Sequence, residues 1–117
     1  MSAHPFAAVL QRLTRIRGVL AGLIVDARDG VIVDAIVPVG LRAEVVAALV
    51  ASLVRKARQS ARSAHAGRLE FLQLDAEQGC VCAVATEEVV LVAVADPRTN
   101  LALLRVELLS ARAAVGA

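Results

Sequence analysis

Tryptophan and tyrosine are absent from this chain, and phenylalanine occurs only as Phe6 and Phe71. The core must therefore be built from Ala, Val, Leu and Ile. The surface, in turn, lacks the rings on which unpaired bases stack. The net charge is only +2, too small for the positive field of a nucleic-acid binder, so no nucleic-acid partner is expected. Histidine is scarce as well. His4 and His65 lie in segments unrelated to Cys80 and Cys82, so no metal centre is expected. No window of about 18 residues is free of charge, so no membrane insertion is expected. Met1 to Val9 shows no basic segment followed by an apolar one, and a cytoplasmic location is the expectation.

Catalytic signatures are missing too. There is no phosphate loop, no Gly-x-Ser-x-Gly and no His-Glu-x-x-His. The stretch "ARDGVIV" holds one glycine and no lysine, which makes it a turn and not a nucleotide cradle. Asp26, Asp29 and Asp34 flank that turn, and turn chemistry accounts for Asp29 without a cation. Glu87 and Glu88 are adjacent and point to opposite faces if extended, which argues against a carboxylate pair. The chain therefore reads as a non-enzyme without a cofactor. Cys80 and Cys82 share one face of an apolar strand and read as buried, reduced thiols.

What the chain does have is aliphatic residues: 58% of its 117 residues are hydrophobic and 21% charged. That suits one domain, residues 1–117, with a substantial core. "HPFAAVLQRLTRIRGV" opens as a helix with Pro5 in its first turn and an apolar stripe of Phe6, Val9, Leu10, Leu13 and Ile16. Gly18 is its natural stop. Leu23, Ile24 and Val25 form a strand core, Asp29-Gly30 signals a hairpin, and a second strand runs through Val31–Val37.

A long helix is expected over Leu41–Ala66. Its core stripe is read as Val46, Leu49, Val50, Leu53, Val54 and Ala57. Its other face is small at first (Ala48, Ala51, Ser52) and then basic (Arg55, Arg58, Arg62), with Glu44 and Gln59 beside them. Arg68–Asp75 reads as a strand at a sheet edge, with Leu69 and Phe71 on one face. Leu72 and Leu74 break its alternation, which suggests a bulge or cover on both faces. "CVCAVAT" is a further strand. The unalternating run "VVLVAVA" is an interior strand that must end at Pro97. Asp96, Thr99 or Asn100 caps the last helix, whose stripe is Leu101, Leu104, Leu108, Ala111 and Val115.

The order is thus helix, two strands, helix, three strands, helix. Short turns imply antiparallel pairing, and two helices on one face with one on the other cover the apolar strands. An unguarded edge strand beside a small-residue helix face suggests a two-fold dimer.

Two stretches, "RIRGVLAGLIVDARDGVIV" (15–33) and "LVAVADPRTNLALLRVELLSA" (91–111), resemble the roadblock/dynein-light-chain superfamily. The first resembles its Gly-Val, apolar strand, Asp-x-x-Asp-Gly turn and returning strand. The second resembles its strand running through Asp-Pro-x-x-Asn-Leu into the last helix, with Arg105 at the usual place. By size the chain is nearest to the bacterial gliding-polarity regulators of that family. The resemblance implies an α/β/α sandwich of the α+β class with a five-stranded antiparallel sheet. It implies homodimers or heterodimers formed through the long middle helix and the third strand, and a role as regulator or platform for small Ras-like GTPases. A homodimer interface is then expected at Ala47, Ala48, Ala51, Ser52, Leu69 and Phe71, and a partner-binding surface at Glu44, Arg55, Arg58, Gln59 and Arg62. Two other readings remain open at this point: a small-ligand sensory module, and a structural subunit of a motor or filament.

Overall fold

Asp26 ends the first strand by turning its own side chain back on the chain. Its carboxylate accepts the backbone N–H groups of Arg28 and Asp29 at 2.9 and 3.0 Å. Gly30 then closes the turn at φ +70°, a conformation that residues with a Cβ rarely adopt. This is the hairpin that Asp29-Gly30 predicts.

The computed structural model describes residues 5–116. Their elements follow the expected order: α1 (Pro5–Arg15), β1 (Val19–Asp26), β2 (Ile32–Ile36), α2 (Ala43–Ser63), β3 (Leu72–Ala76), β4 (Gly79–Ala85), β5 (Val89–Ala95) and α3 (Leu101–Gly116). The five strands form one sheet in the order β2-β1-β5-β4-β3, with every pair antiparallel. β5 is central, as its unalternating apolar run requires. Its Val90 and Val92 face one layer, and its Leu91, Ala93 and Ala95 face the other.

Two cores result, one on each face of the sheet. Under α1 and α3 lie Leu10, Leu13, Ile24, Leu91, Leu104 and Leu108. Under α2 lie Leu23, Val25, Val50, Val54, Val90 and Val92. Of the three candidate caps, Asn100 starts α3: its side-chain oxygen accepts the Leu103 N–H at 3.1 Å. Asp96 instead holds the corner before it, bonding Arg98 through backbone and side chain.

Several expectations need correction. α2 begins two residues later and ends three residues earlier than expected. The run 69–71 is not strand; β3 starts at Leu72 and pairs with β4 without a register shift. The broken alternation therefore marks the strand's start, and no bulge is involved. Leu69 and Phe71 do not share a face either: Leu69 packs on the α2 side and Phe71 on the α1/α3 side. Leu101 sits on the exposed rim of α3, while Leu104, Leu108 and Ala111 carry its buried stripe.

α2 ends through His65, whose φ of 58° is left-handed. The Ala66 N–H returns to the Ala61 carbonyl at 2.8 Å, and the His65 N–H bonds the Arg62 carbonyl at 3.1 Å. That is the usual helix stop, with histidine where glycine is preferred. His65 is exposed, and His4 lies outside the described residues. His65→Gly relieves the backbone strain and should raise the unfolding free energy by about 0.5–1 kcal/mol. Urea denaturation measures this; a destabilised variant would mean the histidine side chain holds the helix end.

Candidate protein-interaction surface

The first three turns of α2 carry two apolar stripes, and the structure buries the one made of smaller side chains. Ala43, Ala47, Val50, Ala51 and Val54 face the sheet, with Ala47 0% and Ala51 1% exposed. Alanines let the helix axis sit close to the strands. The fit is tight at the hairpin: a Cβ on Gly30 would stand 3.2 Å from the Ala48 Cα. The opposite stripe, Val45, Leu49 and Leu53, is spaced by four and faces outward, 43%, 61% and 40% exposed.

This reverses part of the expected face assignment. Leu49 and Leu53 are not core residues, and Ala47 and Ala51 are buried in their own chain, where no second copy can reach them. Ala48 is exposed and Ser52 half-buried, on the border of the outward face. Leu69 and Phe71 are half-buried against this chain's own two cores, and the Arg105 guanidinium lies 4.6 Å above the Phe71 ring. The exposed apolar stripe of Val45, Leu49 and Leu53 was not foreseen. Their four-residue spacing was visible, but leucine outranks alanine when one stripe must be chosen for a core.

The sheet beneath α2 is only partly covered. α2 packs chiefly on β1, β2 and β4. Leu72, Val81 and Val94 on the same sheet face remain half-buried, and Leu74 of β3 is exposed. A helix is about 10 Å wide, whereas five strands span about 19 Å from first to last axis. α1 and α3 together close the opposite face. On this one, a single helix leaves a trough, walled by Val46, Leu49 and Leu53 and floored by Leu72, Leu74, Val81 and Val94. At helical spacing, Val46 and Leu53 lie on the flank opposite Ala48 and Arg55, which abut the β1–β2 turn. The outer edge of β3 borders this trough and pairs with no strand among the described residues.

The expected partner-binding residues divide in two. Glu44, Gln59 and Arg62 are exposed, and their side chains have no hydrogen-bond partner among the described residues. Arg55 and Arg58 are tethers. Arg55 Nη1 donates to the carbonyls of Ala27 and Arg28, both at 3.3 Å. Arg58 Nη2 donates to the Thr86 carbonyl at 2.7 Å. They peg α2 to the β1–β2 and β4–β5 turns at one end of the sheet.

Acid–base chemistry at these residues is modest. The carboxyl of Asp26 is held below its usual range by the backbone N–H groups of Asp29 and Arg28. That of Asp96 is lowered by the Arg98 side chain and then its N–H. Both lie in exposed turns and stay ionised at neutral pH. Cys80 and Cys82 are buried on the α1/α3 side with their sulfurs 4.0 Å apart. Burial, and then Cys80 beside it, pushes the Cys82 thiol up to about 12, so it holds its proton through the neutral range. Among the described residues no three His, Cys, Asp or Glu side chains gather as metal ligands, and no helix is long and apolar enough to cross a membrane.

The Roadblock/LC7 domain profile matches residues 5–95. Two uncharacterized proteins of Methanocaldococcus jannaschii are each 29% identical over 98 residues, covering 84% of this chain and 85% of theirs. The crystal structure of a Roadblock/LC7 domain from Streptomyces avermitilis superposes with a TM-score of 0.83 at 16% identity, over 97% of this chain and 95% of that one. MglB with a tetrameric arrangement superposes with a TM-score of 0.85 at 20% identity, over 99% and 90%. At these identities the two superpositions speak for the fold.

Two outcomes follow from the tethers and the thiols. Arg58→Ala should cost about 1 kcal/mol of stability through the lost bond to Thr86, and Arg62→Ala less than about 0.5 kcal/mol. Equal losses in urea denaturation would remove the tether role. In the native protein at pH 8, Ellman's reagent should react with neither thiol within minutes, and with both at once after unfolding. Rapid native labelling would contradict the burial of the pair.

Proposed function

The chain belongs to the Roadblock/LC7 domain family, and on that premise we propose that it is a homodimeric, non-enzymatic regulator or scaffold for a small Ras-like GTPase. The observation that carries the reading is the trough beside α2. A second copy related by a two-fold axis supplies the helix that the sheet face lacks. Its α2 lies against Val45, Leu49 and Leu53, and its β3 edge pairs with Leu72–Ala76, so that the two sheets run on as one. Fully burying a Val or Leu side chain is favourable by about 1.5–3 kcal/mol. In a symmetric interface each such residue counts twice.

In this reading the paired α2 helices form a shelf on which the GTPase rests, with Glu44, Gln59 and Arg62 along its margin. Arg55 and Arg58 serve chiefly to fix the shelf to the sheet. The chain adds surface to the GTPase and no reacting group of its own. The resemblance of residues 15–33 and 91–111 to GTPase-associated roadblock proteins supports this partner, as does the likeness to MglB.

Light scattering at micromolar concentration should give twice the mass of one chain. Leu49→Arg should leave the fold intact and weaken the dimer by more than about a hundredfold, because two buried leucines are lost and two unpaired charges take their place. A stable wild-type monomer, or an unchanged dissociation constant in the variant, would contradict the interface. For the partner, immobilised protein should capture a small GTPase of the same organism in one nucleotide state, GDP or a non-hydrolysable GTP analogue, more strongly than in the other. Equal capture in both states would argue for a purely structural role.

A further inference from the structure

Among the described residues one ion pair is present, Arg98 to Asp96 at 2.9 Å, with the arginine exposed. Three other arginines meet at one place. A cavity of about 380 Å³ lies where the C-terminal half of α2, the α2–β3 connection and the end of α3 converge, and each contributes one arginine to its lining: Arg58, Arg68 and Arg112. Glu87, on the β4–β5 turn, is the carboxylate of its lining. Leu69, Ala85 and Ala113 add apolar wall. Arg62 joins Arg58 and Arg68 around an adjoining space of about 280 Å³.

Two of the guanidiniums are already oriented. Arg58 Nη2 donates to the Thr86 carbonyl at 2.7 Å, and Arg112 Nη1 to the Glu70 carbonyl at 3.4 Å. Each bond uses one of five N–H donors and fixes the plane of the fork, which leaves the remaining donors for a ligand. Arg68 has no hydrogen-bond or ion-pair partner among the described residues. The charge is unbalanced as well. Among the described residues of the lining, three arginines stand against one carboxylate and two helix C-termini worth about half a negative charge each, which leaves about one positive charge.

We propose that this cavity binds a phosphate group, free or carried on a small organic molecule. Three forks from three elements match the several oxygens of one phosphate, whereas a carboxylate would leave at least one guanidinium unanswered. A phosphate monoester carries about −1.5 to −2 at neutral pH, enough to offset the excess. The volume exceeds that of the phosphate alone and falls at the small end of ligand pockets, with Leu69, Ala85 and Ala113 beside the remainder. None of Val45, Leu49 and Leu53 lines the cavity, so the proposal rests on different residues from the dimer stripe.

Calorimetric titration of the full chain with inorganic phosphate, AMP and adenosine tests this. Saturable binding of phosphate and AMP is expected, and none of adenosine. Tighter AMP binding identifies an organic phosphate as the ligand; equal affinities identify the free ion; both support the site. Arg68→Ala removes a side chain that holds nothing else, so it should weaken binding about tenfold or more while the unfolding temperature stays the same. Arg68→Lys should fall between the two, and Arg15→Ala on α1 should bind as the wild type does. Absence of saturation at millimolar phosphate and AMP would overturn the proposal. So would equal losses in Arg68→Ala and Arg15→Ala, which would show diffuse attraction to a basic surface.

Discussion

One helix cannot cover five strands, and the organisation of this molecule follows from that mismatch. On one face of the sheet α1 and α3 lie side by side and close the core around Leu91, Leu104 and Leu108. On the other, α2 stands alone. It closes the half built on Val25, Val50, Val54 and Val90 and leaves Leu72, Leu74, Val81 and Val94 short of cover. Apolar surface in that position is unfavourable in water until something occupies it.

The placing of α2 sharpens the effect. Alanine at positions 43, 47 and 51 allows a close approach to the strands, and Gly30 lets the hairpin turn reach the backbone of Ala48. Arg55 and Arg58 then fasten the helix to two turns at the same end of the sheet. A helix seated through small residues turns its larger ones away. Val45, Leu49 and Leu53 are exposed for that reason, and they line the same trough as the uncovered strand residues. Packing inside one chain and readiness to pack against another are two results of one choice of side chains.

Much of this was legible in the sequence. Element order, the Asp29-Gly30 hairpin, the central β5 and the edge position of β3 followed from apolar period and turn chemistry, which are local signals. Which stripe of α2 faces the sheet was not legible. Both stripes are apolar, and the outcome rests on the close approach of Gly30 and the alanines, a tertiary fact. The start of β3 was misplaced because Leu69 and Phe71 look like alternation but reach two different cores. The arginine cavity was hidden for a related reason. Arg58 was singled out as surface charge, whereas Arg68 and Arg112 come from other elements and only the fold brings the three together.

A two-fold dimer requires the outer stripe of α2 and the edge of β3 to belong to one interface. Amide hydrogen exchange across Leu72–Ala76, followed as the protein is diluted, addresses that most directly. The account predicts that these edge amides are protected in concentrated protein and lose protection on dilution, together with the turns of α2 that carry Leu49 and Leu53. Fast exchange along β3 at every concentration, with α2 unaffected, would contradict it.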